Sequence, residues 1–243
     1  MADENGPGIR SVAQRKVSAV DLVLHEVRRS ILNGDLPPGR PFTVPALTEQ
    51  LGVSHVPVRE ALRQLEAQGL VTLSPSRSAT VTPLDPDDVR SIYRLRIRLE
   101  PELAALSAAK RSDRDTAELD ALVQAMFDAP PGEERLDIHR ELHTALIRPA
   151  ASRWDLRLLG PLWDAAERYS RLVFDPVEWT DETAAERRHA HQDLVAAGCS
   201  DDPRKVENEL RHHLESNLET ILHRLSPIAY PGMSSSLGQE NTV

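Results

Sequence analysis

Four histidines in the second half of the chain stand where helical periodicity turns them inward. His139 and His143 step with Leu136 and Leu146 by three, four and three residues, so both lie on one apolar stripe. His191 leads Leu194 and Val195 on one face of a later helix, and His213 shares a line with Val206, Leu210, Asn217 and Ile221 on the last. Two histidines at i and i+4 can hold one metal ion from a single helix, and facing helices of a bundle supply further ligands in its core. A single inward histidine is ordinarily a hydrogen-bonded core residue. Four on three helices point instead to a divalent metal site made of His139, His143, His191 and His213, while His189 and His212 face away from their stripes.

Arg96 is the second chemical signal. It sits on the stripe Ile92, Arg96, Leu99, Leu103, and a buried guanidinium needs a partner. Glu100, four residues on, is one candidate. A small carboxylate effector, gripped bidentately, is the other. The run His139-Arg140-Glu141-Leu142-His143 superficially resembles a zinc-peptidase motif. There the glutamate directly follows the first histidine, whereas Glu141 is two residues on, about 200° round the helix, and faces away from the metal. No glycine-rich phosphate loop and no nucleophile elbow is present, so the chain is not read as an enzyme.

The third signal is a short helix built to be approached by a polyanion. In Ser54-His55-Val56-Pro57-Val58-Arg59-Glu60-Ala61-Leu62-Arg63-Gln64-Leu65, Ser54 is placed to cap the first turn and Pro57 is tolerated there. Val58, Ala61, Leu62 and Leu65 face inward, Arg59 and Arg63 share an exposed face, and Gly69 ends the helix. Upstream, a stripe of Val20, Leu24, Val27, Ile31 and Leu32 stops at Asn33-Gly34, and Thr43 caps a helix through Leu51 with Pro45 in its first turn. This is a helix-turn-helix arrangement. Downstream, β-prone Leu70–Leu73 and Thr80–Thr82 flank a loop tipped by Arg77, a two-stranded wing. A capped helix with aligned arginines suits a DNA major groove. Ser54, His55, Val56, Arg59, Arg63 and Arg77 are the candidate contacts.

The stretch from Ala19 to about Pro83 resembles the N-terminal domain of the GntR superfamily of bacterial transcription regulators, most specifically in Leu51-Gly52-Val53-Ser54, Pro57-Val58-Arg59-Glu60-Ala61-Leu62, Leu65 and Gly69-Leu70-Val71. The resemblance implies a recognition helix in the major groove, with Arg59 in a family position, and a wing near the minor groove. His55-Val56 replaces the usual Arg-Thr, Pro45 a charged residue and Ser78 the wing glycine, which bears on the base sequence read. Past residue 85 the chain resembles the FCD ligand-binding domain of the FadR subfamily, through Leu142-His143, Leu146, His191, Leu194, Val195, Ala197, Asp202 and His213-Leu214. There an aspartate and three histidines bind a divalent metal whose coordination a carboxylate effector completes. His143, His191 and His213 fall on the three histidines, His139 on the aspartate, and Ser152 about where asparagine is frequent. Exchanging a carboxylate for an imidazole shifts the expected preference toward zinc or nickel and away from manganese. The family's Arg-x-x-x-Glu motif fits Arg96 to Glu100.

Length and charge agree with this division. A chain of 243 residues accommodates one or two domains. Asp85-Pro86-Asp87-Asp88 is a cap, a first-turn proline and two acids favoured by the helix dipole, and marks a boundary near residue 84. The net charge of −9 divides unevenly: residues 1–84 carry nine basic and eight acidic side chains, residues 85–243 twenty and thirty. DNA affinity must then come from a local cluster of Arg28, Arg29, Arg59, Arg63 and Arg77. A single cysteine, Cys199, suits a reducing cytosol, and neither a signal peptide nor a bilayer-length apolar run is present. The expected location is cytoplasmic, with no membrane partner.

The sequence thus predicts a mainly α protein. A winged helix-turn-helix over residues 16–84 precedes an all-helical bundle over 85–225, with disordered tails at 1–15 and 226–243. Helices are expected over 86–110, 113–128, 133–148, 152–174 (broken at Gly160-Pro161), 180–197 and 203–225. The expected function is a ligand-responsive regulator, a repressor of organic-acid or sugar-acid catabolism, binding a palindromic operator as a homodimer and released by a carboxylate at the metal. The alternatives are a constitutive DNA-binding dimer with a structural helical domain, and a helical metalloenzyme.

Overall fold

Short polar side chains fix where most helices begin. In a computed structural model, which describes residues 18–75, 78–130, 132–173, 181–200 and 202–226, α1 (Ala19–Asn33) opens on a capping box. Ser18 Oγ accepts the Asp21 N–H and the Asp21 carboxylate accepts the Ser18 N–H. Gly34 ends it at a φ of 81°, a left-handed turn that favours glycine. Thr43 caps α2 (Val44–Leu51) and Gly52 ends it. Ser54 stands at the N-cap of α3 (His55–Ala67) but makes no side-chain cap bond, contrary to the sequence expectation. Ser54, His55 and Val56 are exposed at this end of the helix.

The wing is larger than the sequence predicts. β1 (Pro41–Thr43), β2 (Val71–Leu73) and β3 (Ser78–Val81) form an antiparallel sheet in the order β1-β3-β2. Pro41 pairs with Thr80 and Val71 with Val81. β1 escapes a reading of residue pattern because it is three residues long and opens with proline, tolerated here on an edge strand. Arg77, between β2 and β3, lies outside the described residues, as do the expected tail at 1–15 and all of the expected tail at 226–243 beyond Ser226, which caps α9. Val23, Val27, Val58, Ala61, Leu62, Leu65, Ala79 and Val81 close one core beneath α3.

A second core is helical. It is built by α4 (Pro86–Ala108), α5 (Asp113–Asp128), α6 (Glu133–Ile147), α7 (Arg153–Val173), α8 (Asp181–Gly198) and α9 (Pro203–Leu225). Asp85, Ser112 and Asp202 cap α4, α5 and α9. α4 lies along α9 and touches α6 and α7, while α5 packs on α6 and α8. α7 runs unbroken through Gly160-Pro161, correcting the expected break. The hydrogen bond that Pro161 cannot make would fall on the carbonyl of Arg157, an exposed residue. Buried Leu159, Trp163, Ala166 and Tyr169 hold the opposite face.

The two cores are tied at their junction. Arg168 donates to the carbonyls of Gly69 at 3.3 Å and Pro83 at 3.4 Å and pairs with Asp88. The Tyr169 hydroxyl donates to Asp88 Oδ2 at 3.0 Å and accepts the Asp85 N–H at 3.2 Å. Leu62 is fully buried in the first core alone. Leu62→Ala should lower the stability of the winged domain by about 2–5 kcal/mol, read as an earlier calorimetric transition with most helical ellipticity retained. An unshifted transition would contradict the packing role of Leu62, and a single shifted transition would show that the two cores unfold together.

Candidate metal centre and nucleic-acid interface

The four inward histidines meet. α6 contributes His139 and His143, α8 His191 and α9 His213, and all four are buried. Ring centroids lie 4.7 Å apart for His139 and His143, 4.6 Å for His191 and His213, and 5.3 Å for His143 and His213. One nitrogen from each of His139, His191 and His213 falls within 4.8 Å of the others. Nitrogens on a tetrahedral zinc at about 2.1 Å stand about 3.4 Å apart, a closure within the reach of ring rotation. His143 is outside this tightest trio, yet its Nε2 is buried with no hydrogen-bond partner.

The tautomers suit ligation. His143 Nδ1 lies 3.1 Å from Glu100 Oε2, and His191 Nδ1 lies 2.8 Å from the Arg187 carbonyl. Each acceptor calls for a proton on Nδ1, leaving the Nε2 lone pair toward the cage. Asn217 Nδ2 lies 2.9 Å from His213 Nε2; ligation by His213 through Nδ1 requires the Asn217 amide to turn so that its Oδ1 accepts the Nε2 proton. Burial holds His139 and His213 far below the usual histidine range, reinforced by the neighbouring imidazoles, and lowers His191 to about 4. Burial lowers His143 too, against the opposing pull of Glu100. Neutral imidazoles are the form that binds a metal. Four neutral nitrogen donors without a carboxylate fit a borderline-soft divalent ion.

Arg96 finds its partner inside the chain. Its Nε donates to Glu100 Oε1 at 2.6 Å and its Nη2 to Oε2 at 3.3 Å. Glu100 is fully buried and is held down to about 2: burial pushes its pKa up, but Arg96 and His143 outweigh that cost. The Trp163 Nε1–H also donates to Glu100 Oε1, at 2.9 Å. Glu100 therefore orients His143, a role the sequence could not give it. Spacing shows the Arg96 neighbour four residues away, but not the histidine 43 residues on.

On the winged domain, His55, Val56, Arg59 and Arg63 are exposed at the front of α3, with Val56 76% exposed. His55 Nδ1 lies 3.2 Å from Thr48 Oγ1. Arg63 stands 3.7 Å from Glu60, and Arg59 and Arg63 both line a cleft of about 470 Å³ between α3 and the β2–β3 hairpin. Exposed arginines beside an exposed helix N-terminus whose cap residue makes no side-chain cap bond form a surface complementary to phosphate and base edges.

A winged helix-turn-helix joined to a histidine-cored helical bundle defines a DNA-binding transcription regulator. The chain belongs to the gntR family of bacterial regulatory proteins, whose model matches residues 20–81, and carries an FCD domain over residues 91–216. It is 26% identical over 202 residues to the HTH-type transcriptional repressor GlaR of Escherichia coli K12, covering 80% of this chain and 92% of that one. A probable D-xylose utilization operon transcriptional repressor of Paenarthrobacter nicotinovorans is 29% identical over 196 residues, 79% of this chain and 84% of its own. The solved structure of E. coli McbR/YncC superposes with a TM-score of 0.71 at 23% identity, covering 87% of this chain and all of that one, and so shares the fold. Among the described residues no helix is long and apolar enough to cross a membrane.

Arg59→Ala should weaken specific DNA binding by about 1–3 kcal/mol, roughly tenfold to a hundredfold, in a mobility-shift titration, with unchanged circular dichroism. Unaltered affinity would remove α3 from the groove.

Proposed function

We propose that the protein is a homodimeric repressor that binds a palindromic operator through Ser54, His55, Val56, Arg59, Arg63 and Arg77, and that a small carboxylate effector releases it. His139, His143, His191 and His213 hold a divalent ion, zinc in preference to nickel or manganese. The bound ion supplies a Lewis acid to which a carboxylate oxygen can attach. The observation that carries this reading is the convergence of four buried imidazoles from three helices. A structural core seldom concentrates so many polar rings without a common partner. Arg96 lines a small cleft beside His139 and His143, where it adds positive charge for the same carboxylate.

Dimerisation has support in exposed apolar side chains. Leu95 and Leu106 on α4, and Trp154 and Leu158 on α7, are between 42% and 59% exposed. Large apolar groups on adjacent helices are what a second copy would cover. A two-fold pair of winged domains doubles the phosphate contacts that a chain of net charge −9 needs. An effector releases the operator only by preferring the dimer geometry that binds DNA badly, a coupling of about 1–3 kcal/mol per site. The names of GlaR and of the xylose-operon protein, both repressors, support repression here.

His143→Ala combined with His191→Ala should abolish zinc retention, measured by elemental analysis after gel filtration, and equal zinc in variant and wild type would refute the four-histidine site. Leu158→Glu should convert a dimeric mass in sedimentation equilibrium to a monomeric one. A monomeric wild type, or a variant that remains dimeric, would move or remove the proposed interface.

A further inference from the structure

Helix α1 of the winged domain is fastened to the bundle by two carboxylates that also serve a bundle arginine. Arg28 pairs with Glu167 and lies 3.5 Å from Asp164. Arg140 of α6 pairs with Asp164, and its Nη1 donates to Glu167 Oε1 at 2.9 Å. Two guanidiniums, one from each domain, thus share one pair of α7 carboxylates. Glu167 is nearly buried, so salt screens the cluster only weakly.

The cluster abuts the histidine cage. Arg140 follows His139 directly and stands 5.8 Å from the centre of the Trp163 ring, whose Nε1–H holds the Glu100 that orients His143. Between them lies a cleft of about 20 Å³, lined by Arg96, His139, Arg140, His143, Trp163 and Glu167 among others. That is room for about one water. An anion entering beside the cage must therefore displace a wall. Glu167 repels it, and Arg96 is already engaged with Glu100 through two hydrogen bonds. Arg140 is the cation on this wall whose carboxylates also bind the other domain.

We infer that Arg140 is the contact through which a small carboxylate in the cleft alters the fastening of α1. The inference rests on the effector reading given above and supplies its route to DNA. An anion that draws Arg140 away leaves Asp164 and Glu167 with Arg28 alone and adds a negative charge beside them. With Arg140 paired to the anion, its charge no longer offsets the repulsion between Asp164 and Glu167, and Arg28 alone is left to hold the two carboxylates together. Helix α1 packs on α3 through Val23, Val27 and Ile31, so a change in its anchorage reaches the recognition helix.

The test compares Arg140→Met, Arg28→Met and the double variant in the full chain, by hydrogen exchange of the α1 amides. Each single change should raise α1 exchange several-fold, and the double variant should exceed neither by much, because both act through the same carboxylates. Arg140→Lys should recover most of the protection, and zinc binding by calorimetry should match wild type in all four. Wild-type exchange in Arg140→Met, or independent multiplication of the two effects, would overturn the shared fastening. In zinc-loaded protein, C2–C6 mono- and dicarboxylic acids supply the anion probe. An acid that raises the unfolding midpoint of wild type should also raise its α1 exchange and should do neither in Arg140→Met. Equal stabilisation of both proteins would overturn the Arg140 contact. A panel without any active acid would refute the effector reading, and the exchange result would then decide the fastening by itself.

Discussion

Burying imidazoles is the constraint on which the rest of the bundle depends. A polar ring removed from water must be neutral, hydrogen-bonded or bound to a cation. Here four such rings share one apolar interior, and burial depresses their basicity together. Protonating them side by side would set like charges within a few ångströms in a poorly screening medium. Burial keeps them neutral although Glu100 and the Arg187 carbonyl pull His143 and His191 toward protonation, and those two groups together with Asn217 each orient one ring. Glu100 is in turn held by Arg96 and Trp163. A buried ion pair is weak evidence for stability alone. This one earns its place by aiming His143.

The winged domain solves a different problem. It belongs to a chain whose larger part is acidic, so its attraction for DNA has to be local. Arg59 and Arg63 lie on the exposed side of α3, while Val58, Ala61, Leu62 and Leu65 secure the helix from beneath without using a polar group. The unbonded Ser54 cap fits this arrangement. A first turn satisfied by its own side chain would offer less to a phosphate than one left open. The junction connects the two designs through charged groups: Arg168 reaches the Gly69 and Pro83 carbonyls, and Arg28 shares the α7 carboxylates with Arg140.

Periodicity made much of this legible beforehand. The steps Leu136, His139, His143, Leu146 and the cap-then-proline starts at Asp85 and Asp202 are local signals, and local signals place helices and their inward faces well. Strand β1 was not legible, because three residues opening on proline carry no alternation and exist only through pairing with β3. Nor was the continuity of α7, since composition at Gly160-Pro161 argues for a break that packing overrides. Contacts between distant segments were the largest omission. Glu100 with His143, Trp163 with Glu100 and Arg28 with Glu167 span 43, 63 and 139 residues, and a spacing rule sees only neighbours on one helix.

Native mass spectrometry of the purified protein reads the central claim most directly. Each 27.0 kDa chain should carry the added mass of one divalent ion, removed by chelator and restored one-for-one by zinc. A chain that flies at its bare polypeptide mass, and still does so after zinc is supplied, would mean that the imidazoles merely pack against one another.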